Sequence, residues 1–174
     1  MSKTKIEFKY IHKLTSKELT SLYDIVSSDL MINLGNGKKW SKSKLLELKR
    51  YSEEDYKNNY KNTNYLFITL LKNKEVIGLG YIHPYNFSNT LNQLKSSKQL
   101  LQTAIIIKSG EQKKGYGTQL LKKLIYLNKK YLKKPLLCLV NQTNIKSLNL
   151  VKHQKKIGEL TLNNKKYNIY NCIN

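Results

Sequence analysis

The hydrophobic positions of this chain follow two periods, and the changes between them mark out the secondary structure. Apolar residues spaced three and four apart predict helices, whereas alternating or continuous apolar runs predict strands. The predicted strands cover 6–11, 65–71, 75–83, 100–107 and 136–140, and two more surround an Asn163-Asn164 turn. The predicted helices cover 15–28, from Ser41 or Ser43 to about Tyr60 with a break near Ser52, 116–132 and 144–153.

The resulting order is β-α-α-β-β-β-α-β-α-β-β, which predicts one α/β domain over residues 1–174. The apolar runs 100–107 and 136–140 predict strands that are buried on both faces. Because long helices connect these buried strands, we expect a mixed sheet with helices on both faces. The polar segments 33–39 and 85–99 read as loops.

The composition changes this picture mainly through the net charge, which is +21 at neutral pH. A surface this basic attracts nucleic acid, anionic membranes or phosphorylated ligands. However, all of the 32 basic residues except Arg50 are lysine, and an AT-rich genome also encodes such a profile. Proteins that read nucleic acid usually use arginine for bidentate contacts. Both interpretations of the charge stay open.

Several classes of protein are disfavoured. Two cysteines, Cys138 and Cys172, are too few for a disulfide framework, and both lie in apolar runs that predict buried thiols. The first residues lack the apolar core of a signal peptide, and no stretch has the length and hydropathy of a membrane span. No group of residues has metal-site spacing. We expect a soluble intracellular protein, cytoplasmic by default, without a metal and either monomeric or homodimeric.

The segment 105–118 carries the clearest chemical signal. A strand of three isoleucines ends, a polar loop follows, and a helix begins near Gly115 and Gly117. Glycine lets a ligand touch the backbone, and the first N–H groups of a helix are unpaired at the positive end of its dipole. Lys113 and Lys114 add positive charge, so the segment predicts a phosphate or pyrophosphate site. Close packing of the helix on the strand is another explanation for the glycines.

The run Gln112-Lys113-Lys114-Gly115-Tyr116-Gly117 matches Q/R-x-x-G-x-G/A, which is motif A of the GNAT superfamily of acetyl-coenzyme A-dependent N-acetyltransferases. Ile107, eight residues before Gly115, stands where that family usually has Val or Ile. The order of elements is also similar to that of the family, so the resemblance covers nearly the whole chain. It implies a single α/β domain with a mixed, mostly antiparallel central sheet and helices on both faces.

The resemblance also implies acetyl-coenzyme A as cosubstrate and a set of binding residues. The amides of 112–118 would hold the pyrophosphate, the strand 105–107 would pair with the pantetheine arm, and an N–H near Ile106 or Ile107 would polarise the thioester carbonyl. Asn144 and Ser147 fit the second motif, N-x-x-S/A, although Thr143 or Asn144 could simply cap that helix. The implied coenzyme-binding residues are Ile105, Ile106, Ile107, Gln112, Lys113, Lys114, Gly115, Tyr116, Gly117, Thr118, Asn144 and Ser147.

The sequence departs from the family at the positions expected to carry catalysis. Val151 stands where the family has its Tyr, and Leu101 stands where the histone-acetylating branch has a Glu. The catalytic residues are therefore unknown. The phenols to test as an acid are Tyr116, Tyr167 and Tyr170, and His83, at a strand end beside Pro84, is a further candidate.

Three other polar features carry weaker signals. The sequence identifies no partner for His12, and His153 is predicted on the face of its helix opposite Asn144. The acidic run 53–55 could attract a cationic amine, or it could open a helix after the predicted break.

The reaction implied by the resemblance is direct attack of a primary amine on the acetyl thioester within a ternary complex. The acceptor stays open among a polyamine, an amino sugar, a protein N-terminus and a protein lysine, and its binding loops would lie in 30–64 and 84–99. The alternative function is a catalytically weak binding module of the same fold, which holds nucleic acid or another anionic partner.

Duplex DNA distinguishes these functions. We expect dispersed lysines and hence weak, sequence-independent DNA binding that falls as salt rises, because such binding depends on counterion release. Fluorescence anisotropy titrations at two salt concentrations measure this. Sub-micromolar, sequence-dependent binding at physiological salt would contradict the expectation and favour a dedicated nucleic-acid function.

Overall fold

A computed structural model describes residues 4–28, 39–58, 65–84, 100–162 and 164–172. The strands are β1 (Ile6–Tyr10), β2 (Leu66–Lys72), β3 (Glu75–Pro84), β4 (Leu101–Ile107), β5 (Leu136–Asn141), β6 (Lys155–Leu162) and β7 (Lys165–Asn171). The helices are α1 (Ser16–Val26), α2 (Lys42–Lys57), α3 (Tyr116–Leu127) and α4 (Ile145–Val151). The predicted order of elements is confirmed. The predicted loop 85–99, nearly all of the loop 33–39 and Asn163 of the predicted turn lie outside the described residues.

The strands form one seven-stranded sheet with the order β1-β2-β3-β4-β5-β7-β6. Only β4 and β5 pair in parallel, and every other neighbouring pair is antiparallel. The mixed, mostly antiparallel sheet is therefore confirmed. The single parallel contact arises because α3 returns the chain to the start of β5, next to the start of β4.

Helices cover both faces of the sheet, as predicted. On one face, Leu22 of α1 and Leu45 of α2 pack in a buried cluster with Leu79 of β3. On the other face, Leu120 and Leu124 of α3 lie in a larger core. Two separate layers of apolar residues therefore sandwich β2 and β3, whose residues 66–71 and 76–80 are all buried.

The first helix begins as its sequence predicts. Thr15 accepts a hydrogen bond from the backbone N–H of Glu18 at 3.3 Å, and Glu18 accepts one from the Thr15 N–H at 2.8 Å. This reciprocal pair is a capping box, which satisfies donors that the first helical turn leaves unpaired.

The second helix corrects the prediction of a break near Ser52. Helix α2 runs without interruption through that residue, whose exposed fraction is only 2%. Its hydroxyl lies 3.3 Å from Nδ1 of His12, so it has a tertiary partner and does not cap a new helix. His12 itself stacks on Tyr10 and makes a tilted ring contact with Tyr56, and burial lowers its pKa. The sequence had identified no partner for it because these contacts join segments 40 residues apart.

The acidic run does not open a helix, which corrects one of its two interpretations, while attraction of a cationic amine stays a prediction. Glu53 and Glu54 lie in the last part of α2, not at a helix start, and Glu53 pairs with Lys57 one turn later at 3.1 Å. The side chain of Asp55 lies outside the described residues.

Strand β4 is less buried than its sequence predicts. Leu101, Thr103 and Ile106 are buried, whereas Gln102, Ala104, Ile105 and Ile107 are only half-buried. The cause lies in the sheet itself, since β4 loses its neighbour β5 after two residues.

The thiols agree better with expectation: Cys172 is buried, Cys138 is partly buried, and both are free. Among the described residues, no helix is long and apolar enough to cross a lipid bilayer.

Close approach of α3 to β3 depends on a glycine, which gives a test of the packing. A Cβ on Gly78 would lie 3.1 Å from Cδ1 of Leu120 on α3 and 2.7 Å from Cδ1 of Ile107 on β4. We expect Gly78→Ala to lower the free energy of unfolding by about 1–3 kcal/mol, the usual cost of overpacking. Urea denaturation measures this. Gly110→Ala is the matched control, because a Cβ there meets nothing within 4 Å; equal effects of both variants would contradict the packing argument.

Candidate active site

The central feature of the candidate site is an opening between two parallel strands. Strands β4 and β5 pair at Leu101 with Leu136 and at Gln102 with Leu137, and the described residues show no further pairing between them. Beyond these positions the strands diverge, so the rest of β4 presents a free edge towards β5. An extended ligand can occupy such an edge as an added strand.

The hydrogen bonds at the two ends of β4 show which of its amides face this opening. The N–H of Leu101 donates to Pro135 on the β5 side at 2.9 Å, whereas the N–H of Lys108 donates to Ile77 of β3 at 2.8 Å. Backbone groups alternate in direction along a strand. The odd-numbered residues of β4 therefore face the opening, and the even-numbered residues pair with β3.

This alternation separates the two residues that the sequence offered as the thioester-binding donor. The backbone of Ile106 belongs to the ladder with β3, where it is paired in register with Leu79. The backbones of Ile105 and Ile107 face the opening instead. The two amides nearest the loop that can reach a ligand in the opening are therefore those of Ile105 and Ile107.

The opening leads to the N-terminus of α3. Gly115 is the N-cap of this helix and has a left-handed backbone, with φ of 80°. Lys113, two residues earlier, is also left-handed, with φ of 63°. Such turns direct successive N–H groups into a concavity that suits an anion, and the helix dipole adds to the positive potential there.

Gly117 does not depend on close packing. A Cβ at this position would meet Cδ1 of Leu150 at 3.5 Å, which is an ordinary van der Waals contact. The explanation that the glycine pair permits tight helix–strand packing therefore fails for Gly117, while Gly115 is required by its backbone conformation. Thr118, the next residue, is exposed on the first turn of α3.

A polar bridge spans the mouth of the opening. The side chain of Gln112 donates from Nε2 to the carbonyl oxygen of Ile107 at 3.0 Å, and its Oε1 accepts from Nζ of Lys146 on α4 at 2.8 Å. The bridge connects the end of β4 to the helix that follows β5. Sequence reasoning missed Lys146, although it lies inside the N-x-x-S motif and its position there was the available signal.

A second polar cluster connects the loop between β4 and α3 to strand β2. Glu111 accepts from Lys72 at 2.9 Å and from Lys114 at 3.0 Å, and these two ammonium groups hold the pKa of Glu111 below its usual range. Lys114 is therefore paired with a carboxylate, whereas the exposed Lys113 makes no such pair among the described residues. Nothing in the sequence pattern indicated Lys72, because the pairing depends on the position of β2.

The second motif begins α4 as a helix cap. Oδ1 of Asn144 accepts from the backbone N–H of Ser147 at 3.1 Å, so Asn144 is the N-cap. The capping interpretation is confirmed, while contact of Asn144 or Ser147 with a ligand stays a prediction. His153 follows the end of α4 and is exposed.

The face of β3 and β4 opposite α3 carries His83 and Tyr81. The sheet register places His83 beside Gln102 and Tyr81 beside Ala104, close to the point where β4 and β5 meet. Nδ1 of His83 lies 3.0 Å from the carbonyl oxygen of Pro84, which only accepts, so Nδ1 carries the proton and Nε2 the lone pair. Burial lowers the pKa of His83 and raises that of Tyr81 to about 12, so both are neutral at physiological pH.

The positions that depart from the motif pattern are core positions. Leu101 and Val151 have no exposed surface and lie in the larger core. Tyr170 is buried in the same core, where its hydroxyl accepts from Asn168 at 3.4 Å, and Tyr167 is paired in register with Asn141. Tyr116 is half-buried at the first turn of α3, beside the loop and at the opposite end of β4 from His83. Among the described residues, no group of three or more His, Cys, Asp and Glu could hold a metal ion.

Comparison with known proteins agrees with this geometry. A family model described as the acetyltransferase (GNAT) family matches residues 22–154, which is more than three quarters of the chain. No curated protein matches the chain at the sequence level.

Solved structures share the fold at low sequence identity. An N-acetyltransferase from Staphylococcus aureus Mu50 has a TM-score of 0.71 at 15% identity, with 96% of this chain and 97% of that chain covered. A GNAT superfamily phosphinothricin acetyltransferase from Sinorhizobium meliloti, in complex with AcCoA, has a TM-score of 0.69 at 13% identity, with 95% and 86% covered. A ribosomal-protein-alanine N-acetyltransferase from Brucella melitensis has a TM-score of 0.66 at 14% identity, with 95% and 98% covered.

Proposed function

The chain belongs to the acetyltransferase (GNAT) family, and we propose that it moves the acetyl group of acetyl-coenzyme A to a primary amine by direct attack in a ternary complex. The observation that carries this proposal is the opening between β4 and β5, which ends at the N-terminus of α3. A ligand with an extended amide arm and a pyrophosphate head fits both parts of that shape. One of the solved neighbours is in complex with AcCoA, which supports the same cosubstrate here.

In this proposal the phosphates lie at the loop before α3. The amides of residues 112–118 surround the pyrophosphate, with Gly115 supplying the left-handed turn and Gly117 the space. Lys113 and Lys146 are the nearby exposed cations, and Lys146 can exchange its neutral partner Gln112 for a phosphate oxygen. A charge-assisted hydrogen bond of this kind is stronger than the amide contact that it replaces.

The pantetheine arm would run along β4, away from the loop. Its amides can pair with the backbone groups of Ile105 and with the N–H of Ile107, as an added strand does, while the carbonyl oxygen of Ile107 already accepts from Gln112. The thioester then reaches the N–H of Ile105, and we assign that N–H as the donor to the developing oxyanion. Ile106 would contribute through its side chain only, because its backbone pairs with β3. Asn144 and Ser147, at the start of α4, would contact the pantetheine arm from the β5 side.

The acceptor amine would approach from the face opposite α3, where Tyr81 and His83 stay half-buried although α1 and α2 cover other parts of that face. An alkylamine has a pKa of about 10.4 and must lose a proton before it attacks. Tyr81, beside Ala104, stays protonated and therefore cannot accept the proton of the amine. We propose that water accepts this proton first. His83, on the same face, can then accept it from water through Nε2. The end of β4 at Ile107, which leads into the loop before Tyr116, lies five residues from Gln102, the register partner of His83, roughly 16 Å along the strand at the usual rise. We therefore assign Tyr116 to the phosphate end and not to proton transfer.

The coenzyme site is tested by filling the space at Gly117. We expect Gly117→Trp to abolish the rise in melting temperature that acetyl-coenzyme A gives the unchanged protein, because the indole would occupy the pyrophosphate position. At a ligand concentration of 100 Kd that rise corresponds to about 2.7 kcal/mol. Circular dichroism checks that the variant is folded. Lys129→Trp, on an exposed residue after α3, is the control and should keep the full shift; normal binding by Gly117→Trp would refute the site.

The proton-transfer assignment predicts a specific pH dependence. Burial lowers the pKa of His83 below its ordinary 6.5, so the imidazole is neutral throughout pH 7–9 and adds no inflection there. We expect kcat/KM to rise through this range with the deprotonation of the amine, so two amines of different pKa should give displaced profiles. A thiol-release assay measures both profiles. If the profiles share one inflection below pH 7, a protein base controls the rate, and His83→Asn should then remove that inflection.

A further inference from the structure

The structure carries information on the acceptor in a row of aromatic rings beside the reactive end of the opening. Tyr65 and Phe67 stack with centroids 6.3 Å apart and an interplanar angle of 4°, and Phe67 lies 5.8 Å from Tyr81. Tyr81 in turn contacts His83 at 5.6 Å and Trp40 at 5.6 Å between ring centroids. We call these five residues the aromatic row.

The position of the aromatic row follows from the sheet register. Phe67 is paired with Tyr81, and Tyr81 is paired with Ala104 of β4. Their side chains lie on the face opposite α3, since the alternate residues Gly78 and Gly80 face that helix. The row therefore leads from β2 across β3 to the part of β4 next to the free N–H of Ile105.

Part of the aromatic row is open to a ligand. Phe67 is buried, but Tyr65 is 38% exposed, and Tyr81, His83 and Trp40 are half-buried. Tyr65 stands one residue before β2 and continues the register towards His83. A flat group placed here would contact the faces and edges of these rings. Such aromatic contacts contribute more binding free energy than the burial of apolar area alone.

The charge distribution around the aromatic row disfavours amines that carry several positive charges. Strands β2 and β4 contain no acidic residue, and β3 contains only Glu75, at the end away from His83, where it pairs with Lys108. A polyamine or an amino sugar with several ammonium groups would find no carboxylate on these strands to compensate its charge. The net charge of +21 also repels such ligands at long range.

We propose that the acceptor is a monoamine whose amine is attached to a flat apolar body, and that the aromatic row binds that body. This proposal rests on the proposed acetyl transfer and adds a class of acceptor to the four left open above. Those four, a polyamine, an amino sugar, a protein N-terminus and a protein lysine, do not join their amine to a flat apolar body.

The test compares phenethylamine with spermidine at a saturating concentration of acetyl-coenzyme A. We expect kcat/KM for phenethylamine to exceed that for spermidine by at least about tenfold. Tyr65→Leu should lower the phenethylamine value by up to about tenfold, the loss of one aromatic pair, and leave the spermidine value unchanged. Trp40→Leu, in the segment before α2, provides a second variant and should lower the phenethylamine value in the same way. Tyr126→Leu, at an exposed tyrosine on α3, is the matched control and should change neither value.

Binding measurements separate this proposal from the proposed function. Calorimetry with phenethylamine in the presence of coenzyme A should show binding that Tyr65→Leu weakens, whether or not acetyl transfer follows. A preference for spermidine, or equal losses in Tyr65→Leu and Tyr126→Leu, would overturn the aromatic-row proposal while leaving acetyl transfer intact. Absence of any coenzyme-induced thermal shift in the unchanged protein would instead refute the proposed function itself.

Discussion

The divergence of β4 and β5 after two paired residues is the constraint on which the rest of the site depends. Backbone N–H and C=O groups are costly to leave unpaired where water is excluded, so a sheet normally continues its ladder. Here the ladder stops, and Ile105 and Ile107 keep backbone groups that face an opening. The half-buried character of β4 and the need for a strand-like ligand both follow from that interruption.

The two ends of the opening have different chemistry. At the mouth, the left-handed Gly115, the start of α3 and exposed lysines make a positive environment that suits phosphate. At the closed end, the neighbouring residues on β3 are the neutral Tyr81 and His83. A long molecule with an anionic head and a reactive, uncharged tail matches this difference along its whole length. In the proposed complex, electrostatics would orient the ligand, and the aromatic row would bind the acceptor that meets its tail.

Some sequence signals were misleading for a common physical reason. Ser52 resembles a helix cap, but its hydroxyl lies beside His12, and helix α2 continues through it. Asn144 is ambiguous for the same reason: its oxygen caps α4 in this structure, and its contact with a ligand stays a prediction. Short polar side chains can satisfy either a local backbone group or a distant partner, and local sequence does not decide between them. Lys146 and Lys72 escaped notice because the partners of exposed lysines depend on which elements become neighbours.

The sequence by itself determined the order of elements, the capping box of Thr15 and the glycine-containing start of α3, because hydrophobic period, cap chemistry and backbone freedom act within a few residues. The family could be predicted for the same reason, since its motif lies within one short segment. Only the tertiary structure decided that β4 and β5 diverge, that Ile105 and not Ile106 presents its amide to the opening, and that His12 and Ser52 meet. Those features depend on strand order and register, which arise from contacts between residues far apart in the chain, so no local pattern encodes them.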